Sequence, residues 1–287
     1  MSWFEALILG IVQGLTEFLP VSSSGHLAIG KALFGIETYD LSFEVVVHAA
    51  TVLATIVVFW KEIMLLFSDL FKFKYNEGTR YILMLCVSMI PVFIVGVFFK
   101  DTVENIFGSG LMVVGCCLVI TAALLYLSES LSAKRASQVT ISLVDHTSRE
   151  AVPAESPSAE KGEEMSYKSA LWMGLAQSIA VLPGLSRSGS TIATGLLCNV
   201  KREEVTRFSF LMVLIPVLGE AFLDIVGGEL VASSIGGLQL AIGFVAAFVS
   251  GLFACKFMIA IVRKAKLRWF ALYCVLVGLA CIISSLV

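Results

Sequence analysis

Residues 10–27 read GIVQGLTEFLPVSSSGHL and place a carboxylate, three serine hydroxyls and an imidazole inside an apolar run. Gln13 and Glu17 are four residues apart, so on a helix they share one face. Pro20 ends that helix, and Ser22, Ser23, Ser24, Gly25 and His26 follow at once. Ionisable groups at depth in hydrocarbon are costly and mark function. Glu17 could hold a hard divalent cation, magnesium or calcium, with Gln13 as a neutral oxygen ligand. His26, three residues after Ser23, could take a proton from a nucleophilic hydroxyl or from water.

Residues 174–190 read GLAQSIAVLPGLSRSGS and align with residues 10–26 without gaps, at an offset of 164. Gly10, Gln13, Ser22, Ser24 and Gly25 then match Gly174, Gln177, Ser186, Ser188 and Gly189. Elsewhere the copies differ: Glu17 faces Val181, Ser23 faces Arg187 and His26 faces Ser190. One copy brings the acid and the imidazole, the other the cation, which points to one composite site built from two repeats. Ser22, Ser24, Ser186 and Ser188, with backbone N–H groups freed at Gly25 and Gly189, suit a cluster of anionic oxygens. Arg187 adds a planar fork that matches two phosphate oxygens.

Plainer alternatives stand beside each of these. Glu17 is otherwise an interfacial acid, His26 a satisfied turn residue, the serines helix caps, and Arg187 a structural ion-pair partner of Glu17. Glu44 and His48, also four apart, are either a second metal or proton site or a hydrogen-bonded structural pair. Glu220 and Asp224 repeat that spacing and are expected to be interfacial acids at a water-filled mouth.

Together GLTEFLPVSSSGH and PGLSRSGST resemble the signature pair of the undecaprenyl-pyrophosphate phosphatase family, the bacitracin-resistance proteins. The first family motif is Glu or Gln, three residues, then Glu, followed by a Ser-rich loop and His. It falls here on Gln13, Glu17 and Ser22 to His26; the second, PGxSRSxxT, falls on Pro183 to Thr191. The resemblance runs the full chain, through Phe43-Glu44 and Ser209 to Leu211. It implies a metal-dependent phosphatase of the bacterial plasma membrane that removes the terminal phosphate of a C55 polyprenyl pyrophosphate. That reaction regenerates the lipid carrier for cell-wall synthesis. By the same resemblance Glu17, His26 and Arg187 are essential, Ser23 is the favoured nucleophile, and Thr191 joins the substrate-binding set. Gln13 stands where many members carry Glu, and a homodimer is left open. The rival class is a transporter of a polyprenyl phosphate or another anion, which would bind the same phosphate without cutting it. His26 beside a run of hydroxyls favours the enzyme.

Positioning these groups takes helices that cross or enter a bilayer. Hydrophobic residues make up 58% of the chain, charged residues 15%, and mean hydropathy is +0.93. A soluble domain of this length cannot bury so much apolar surface, so the fold class is an all-α polytopic membrane protein. The absence of a concentrated basic face argues against nucleic acid as a partner. The first twenty residues carry Glu5, Gln13 and Glu17 without a basic start, unlike a cleaved signal peptide. Seven cysteines, with neither disulfide nor metal spacing, are packing residues.

Six spans are predicted, at 43–60, 80–99, 110–127, 208–226, 237–262 and 268–286. The motif segments, broken at Pro20 and at Pro183-Gly184, are each predicted as a re-entrant helix-loop-helix with its tip near the midplane. The chain thus divides into a first repeat (1–127), a polar cytoplasmic linker (128–166) and a second repeat (167–287). Three spans per half force the second repeat into the opposite orientation. Loops 61–80, 128–168, 200–207 and 263–268 hold sixteen of the twenty Lys and Arg. That bias puts the linker in the cytoplasm and opens the site to the outer, periplasmic side.

Overall fold

The computed structural model describes residues 1–36, 42–99, 110–146, 162–227, 235–264 and 266–286. The apolar runs fold as helices between breaks at Pro, Gly and polar loops. The first part of the chain gives α1 (Trp3–Phe18), α2 (Ser23–Phe34), α3 (Ser42–Val58), α4 (Trp60–Leu70), α5 (Glu77–Phe98) and α6 (Gly110–His146). The second gives α7 (Tyr167–Ile179), α8 (Arg187–Leu197), α9 (Arg202–Gly227), α10 (Gly237–Lys264) and α11 (Arg268–Leu286). The protein is an all-α polytopic membrane protein.

The repeat extends beyond the two motifs. Ser2 caps α1 with a capping box: its Oγ accepts from Glu5 N at 3.3 Å, and Ser2 N donates to Glu5 Oε2 at 2.8 Å. Ser166 and Ser169, 164 residues on, make the same box at the start of α7. Partners are exchanged between the halves, for α1 packs along α10 while α7 packs along α5.

Small residues let these pairs approach, as they do wherever apolar lipid gives helices no solvent-driven reason to associate. A Cβ on Gly10 would stand 2.5 Å from Gly243 O, and one on Gly174 would stand 2.2 Å from Ser88 O. The matched Gly10 and Gly174 are therefore packing residues. Gly174→Ala is expected to lower stability by about 1–3 kcal/mol, because the obstacle is backbone and cannot turn aside. Thermal unfolding in detergent checks this. Gly96→Ala, where nothing lies within 4 Å, should leave the melting temperature unchanged.

Three features differ from the predicted spans. Four helices among the described residues, α5, α6, α10 and α11, are long and apolar enough to cross a membrane. A fifth candidate is the pair α3 and α4, bent by 74° at Phe59, so the run 43–60 leads into a short oblique helix. The run at 208–226 falls within α9, which also carries Arg202, Glu203, Glu204 and Arg207 at its start. Helix α6 does not stop at 127 but continues to His146, because the Ser, Ala, Glu and Lys that follow are compatible with a solvated helix. Residues 147–161 of the linker, and the side chains of Glu220 and Asp224, lie outside the described residues.

The described parts of the four basic loops gather at one end. Arg80 Nη2 donates to Met165 O at 2.9 Å, and Tyr75 and Tyr167 share a hydrogen bond at 3.1 Å. Arg202 pairs with Glu129 at 2.8 Å, and the same Glu129 Oε2 accepts from Leu267 N at 3.3 Å. Arg135 closes the end of α8 by donating to Leu197 O at 3.0 Å. Both ends of the α7–α8 hairpin therefore lie in this basic layer.

Candidate active site

The two breaks are shaped to meet. Ser22 adopts φ 69° and caps α2, its Oγ accepting from Gly25 N at 3.2 Å. Ser186 caps α8 in the same way, accepting from Gly189 N at 3.0 Å. A Cβ on Gly25 would lie 3.1 Å from Gly184 Cα, and one on Gly189 would lie 3.3 Å from Pro20 Cβ. Pro20 and Gly184 are themselves 164 residues apart, so the contact is reciprocal: each helix start rests on the other loop's break. Ser188 Oγ ties the loops further by donating to Leu19 O at 3.1 Å.

Glu17, on the last turn of α1, is the hub. Its Oε1 accepts from Arg187 Nη2 at 3.0 Å. Its Oε2 accepts from Gln13 Nε2 at 2.9 Å and from Ser23 Oγ at 2.5 Å. The Glu17 side chain is 10% exposed and that of Arg187 23%. Four predicted residues from both motifs thus converge. The ion pair named as the plainer alternative for Arg187 is the geometry found, so a phosphate must share or replace Glu17 as its partner.

The other predicted residues fall into place unequally. Ser22, Ser24, Ser186 and Ser188 line a small cavity together with Glu17, Ser23 and Arg187. Ser22 and Ser186 use their oxygens as caps, as their plainer alternative has it. Gly25 and Gly189 give the close approach of the loops. Thr191 is not brought to the cavity: it is fully buried, bonded to Arg187 O at 2.9 Å and to Ser209 Oγ on α9. His26 does not bond Ser23. Its Nδ1 donates to Ser22 O at 2.7 Å, and its Nε2 accepts from the Tyr273 hydroxyl at 2.7 Å. The carbonyl can only accept, which fixes the ring's tautomer and turns its basic nitrogen toward α11.

Tyr273 is 247 residues from His26, and nothing in the sequence links the two. Tyr273→Phe removes the hydroxyl that orients the imidazole and is expected to lower turnover about fivefold, the worth of one such bond. Steady-state hydrolysis by the purified variant checks this; unchanged turnover would detach Tyr273 from the site.

Glu44 and His48 are not a side-chain pair. The Glu44 carboxylate is taken by Lys31 Nζ at 2.6 Å, while His48 Nε2 lies 3.7 Å from Glu17 Oε2. Thr51 and Thr55, on the same face of α3, line a second cavity beside Glu17, Arg187 and Phe210. The 44, 48, 51, 55 spacing was the available signal for this polar stripe. The two cavities measure about 20 and about 10 Å³, room for roughly one water each. Admitting any larger ligand therefore requires the Glu17–Arg187 pair to part or the loops to separate.

A divalent cation fits the donors present. Gln13 is fully buried, its Oε1 has no partner, and its Nε2 bonds the Glu17 carboxylate that also accepts from Ser23. These are hard oxygen donors. Among the described residues no cluster of three or more His, Cys, Asp or Glu occurs. A site with one carboxylate is the kind that magnesium completes with water and substrate phosphates.

A family profile described as bacitracin resistance protein BacA matches residues 6–280. An undecaprenyl-diphosphatase of Parabacteroides distasonis is 57% identical over 290 residues, covering 100% of this chain and 99% of its own. One of Bacteroides fragilis is 55% identical, covering 99% of each chain, and one of Halothermothrix orenii is 37% identical at the same coverage. With its two motif loops interlocked and the profile spanning nearly its whole length, the chain belongs to the bacitracin resistance protein BacA family.

Proposed function

We propose that this protein is a membrane-embedded undecaprenyl-diphosphatase: it hydrolyses a polyprenyl diphosphate to the monophosphate and inorganic phosphate. The reaction recycles the lipid carrier for peptidoglycan synthesis, and the family name ties it to bacitracin resistance. The observation that carries this reading is the convergence of Glu17, Ser23 and Arg187 from two different motifs. A transporter needs the cation and the anion-binding loops, but not a hydroxyl held on a carboxylate.

Ser23 Oγ attacks the terminal phosphorus as the anhydride P–O bond breaks, and the lipid monophosphate leaves. The proton on Ser23 passes to the Glu17 carboxylate, which it already bonds, in place of the His26 expected from sequence. Water then cleaves the phosphoserine, releasing phosphate and restoring the hydroxyl. Arg187 and the first N–H groups of α2 and α8 neutralise the transferred phosphoryl oxygens. Glu17 and Gln13 would hold the magnesium or calcium ion, which supplies further charge neutralisation when bound.

The repeats are inverted relative to each other in this reading. The α7–α8 hairpin starts and ends in the basic layer, and the exchange of partners between α1–α10 and α7–α5 supports a two-fold relation. With the basic layer cytoplasmic, the α1–α2 hairpin enters from outside and the site opens to that side. Phosphate release from a polyprenyl diphosphate by the purified protein, with and without chelator, tests the function. No release above background would return the protein to the transporter class.

A further inference from the structure

His48 stands on α3 with Nδ1 2.7 Å from the Glu44 carbonyl oxygen. The carbonyl accepts, so Nδ1 carries a proton, and in the neutral form of the ring Nε2 offers a lone pair. That nitrogen lies 3.7 Å from Glu17 Oε2. The separation exceeds the roughly 2.7–3.2 Å of a hydrogen bond, so no direct hydrogen bond joins the two groups. Two ligands each about 2.0–2.2 Å from one cation stand roughly 3.0–4.4 Å apart. The observed separation falls inside that window. An imidazole anchored through its other nitrogen to a backbone carbonyl is also how metal-ligating histidines are oriented.

A second, independent observation lies one turn from Glu17. Gln13 Oε1 is buried without a partner, because its Nε2 donates to Glu17 and the oxygen is left over. Glu17 Oε2 accepts from Gln13 Nε2 and Ser23 Oγ, so a cation there takes the place of the Gln13 donor while the amide turns its free Oε1 toward it. The polar stripe is confined to one repeat. Positions 164 residues after Glu44, His48, Thr51 and Thr55 are Phe208, Met212, Ile215 and Gly219. The ligand set is therefore as one-sided as Glu17 itself.

We propose that His48 Nε2 is a direct ligand of the divalent cation together with Glu17, making a mixed nitrogen–oxygen site. It rests on the cation-dependent phosphatase reading and adds to it a preference. Imidazole favours a transition-series ion such as manganese over calcium.

The test uses the full chain in detergent, loaded with Mn²⁺ and labelled with ¹⁵N-histidine. Pulsed electron paramagnetic resonance is expected to detect ¹⁵N coupling to the bound ion. The coupling should vanish in His48→Gln and persist in His26→Gln. Mn²⁺ affinity should fall about tenfold or more in His48→Gln, with a smaller loss for Ca²⁺. Bound Mn²⁺ without histidine coupling, or coupling that survives in His48→Gln, overturns the proposal and leaves the phosphatase reading intact. A wild type that hydrolyses its substrate but binds no Mn²⁺ overturns both this proposal and the cation. Bound, coupled Mn²⁺ without phosphate release from polyprenyl diphosphate overturns the phosphatase reading alone.

Discussion

Glu17→Gln is expected to lower the turnover of polyprenyl diphosphate by roughly a hundredfold to a thousandfold, the range seen when one preorganised electrostatic group is removed. Glu17 accepts from three donors: Gln13 Nε2, Ser23 Oγ and Arg187 Nη2. A glutamine there has one acceptor oxygen and an NH₂ group. If the NH₂ faces Oε2's place, it meets the Gln13 amide and the Ser23 hydroxyl. If it faces Oε1's place, it meets the guanidinium. The first is met only if Ser23 accepts and the Gln13 amide turns its oxygen inward, and the second sets donor against donor, at a side chain only 10% exposed. Ser23 also loses the base that takes its proton. The variant should melt at a lower temperature, and extra magnesium or calcium should rescue activity only in part. Turnover and chelator sensitivity both equal to wild type would remove Glu17 from the site.

The membrane class and the two broken helices were legible because hydropathy and Pro-Gly breaks are local properties of the sequence. The composite site was legible for a different reason. Gln13 recurs before the break as Gln177, and Ser22, Ser24 and Gly25 recur after it as Ser186, Ser188 and Gly189, so the differences at Glu17, Ser23 and Arg187 could be read against a common frame. The described parts of the basic loops at 61–80, 128–168, 200–207 and 263–268 share one end of the molecule.

What stayed hidden depends on where side chains turn. His26 follows the Ser run, and sequence proximity suggested that it serves Ser23; the fold of the Ser22 cap instead commits Nδ1 to Ser22 O and hands Nε2 to Tyr273. Thr191 lies four residues after Arg187, which puts both on one face of α8, yet its hydroxyl is taken by Ser209. The spacing of Glu44 and His48 groups them as a metal or proton site or a structural pair, but Lys31 takes that carboxylate and leaves the imidazole facing Glu17. The extension of α6 beyond 127 escaped hydropathy because a polar helix carries no apolar period to read.

Arg187→Lys separates a phosphoryl clamp from a mere positive charge. Arg187 is the first residue of α8, where the helix dipole disfavours a cation. It is held there by Glu17 at 3.0 Å, and in turnover by the anion that the two loops surround. A lysine keeps the charge and can still meet Glu17, so its melting temperature should stay near that of wild type. It loses the planar fork that binds two phosphoryl oxygens at once. Turnover is therefore expected to fall roughly a hundredfold or more, mainly at saturating substrate, because the fork matters most in the transition state. Arg187→Ala should lose as much activity and stability as well, since Glu17 is then left without its cation. Kinetics and thermal unfolding of the two variants, measured side by side, make the comparison. A lysine variant with near-native turnover would reduce Arg187 to a diffuse positive charge, and the composite site would lose the contribution of its second motif.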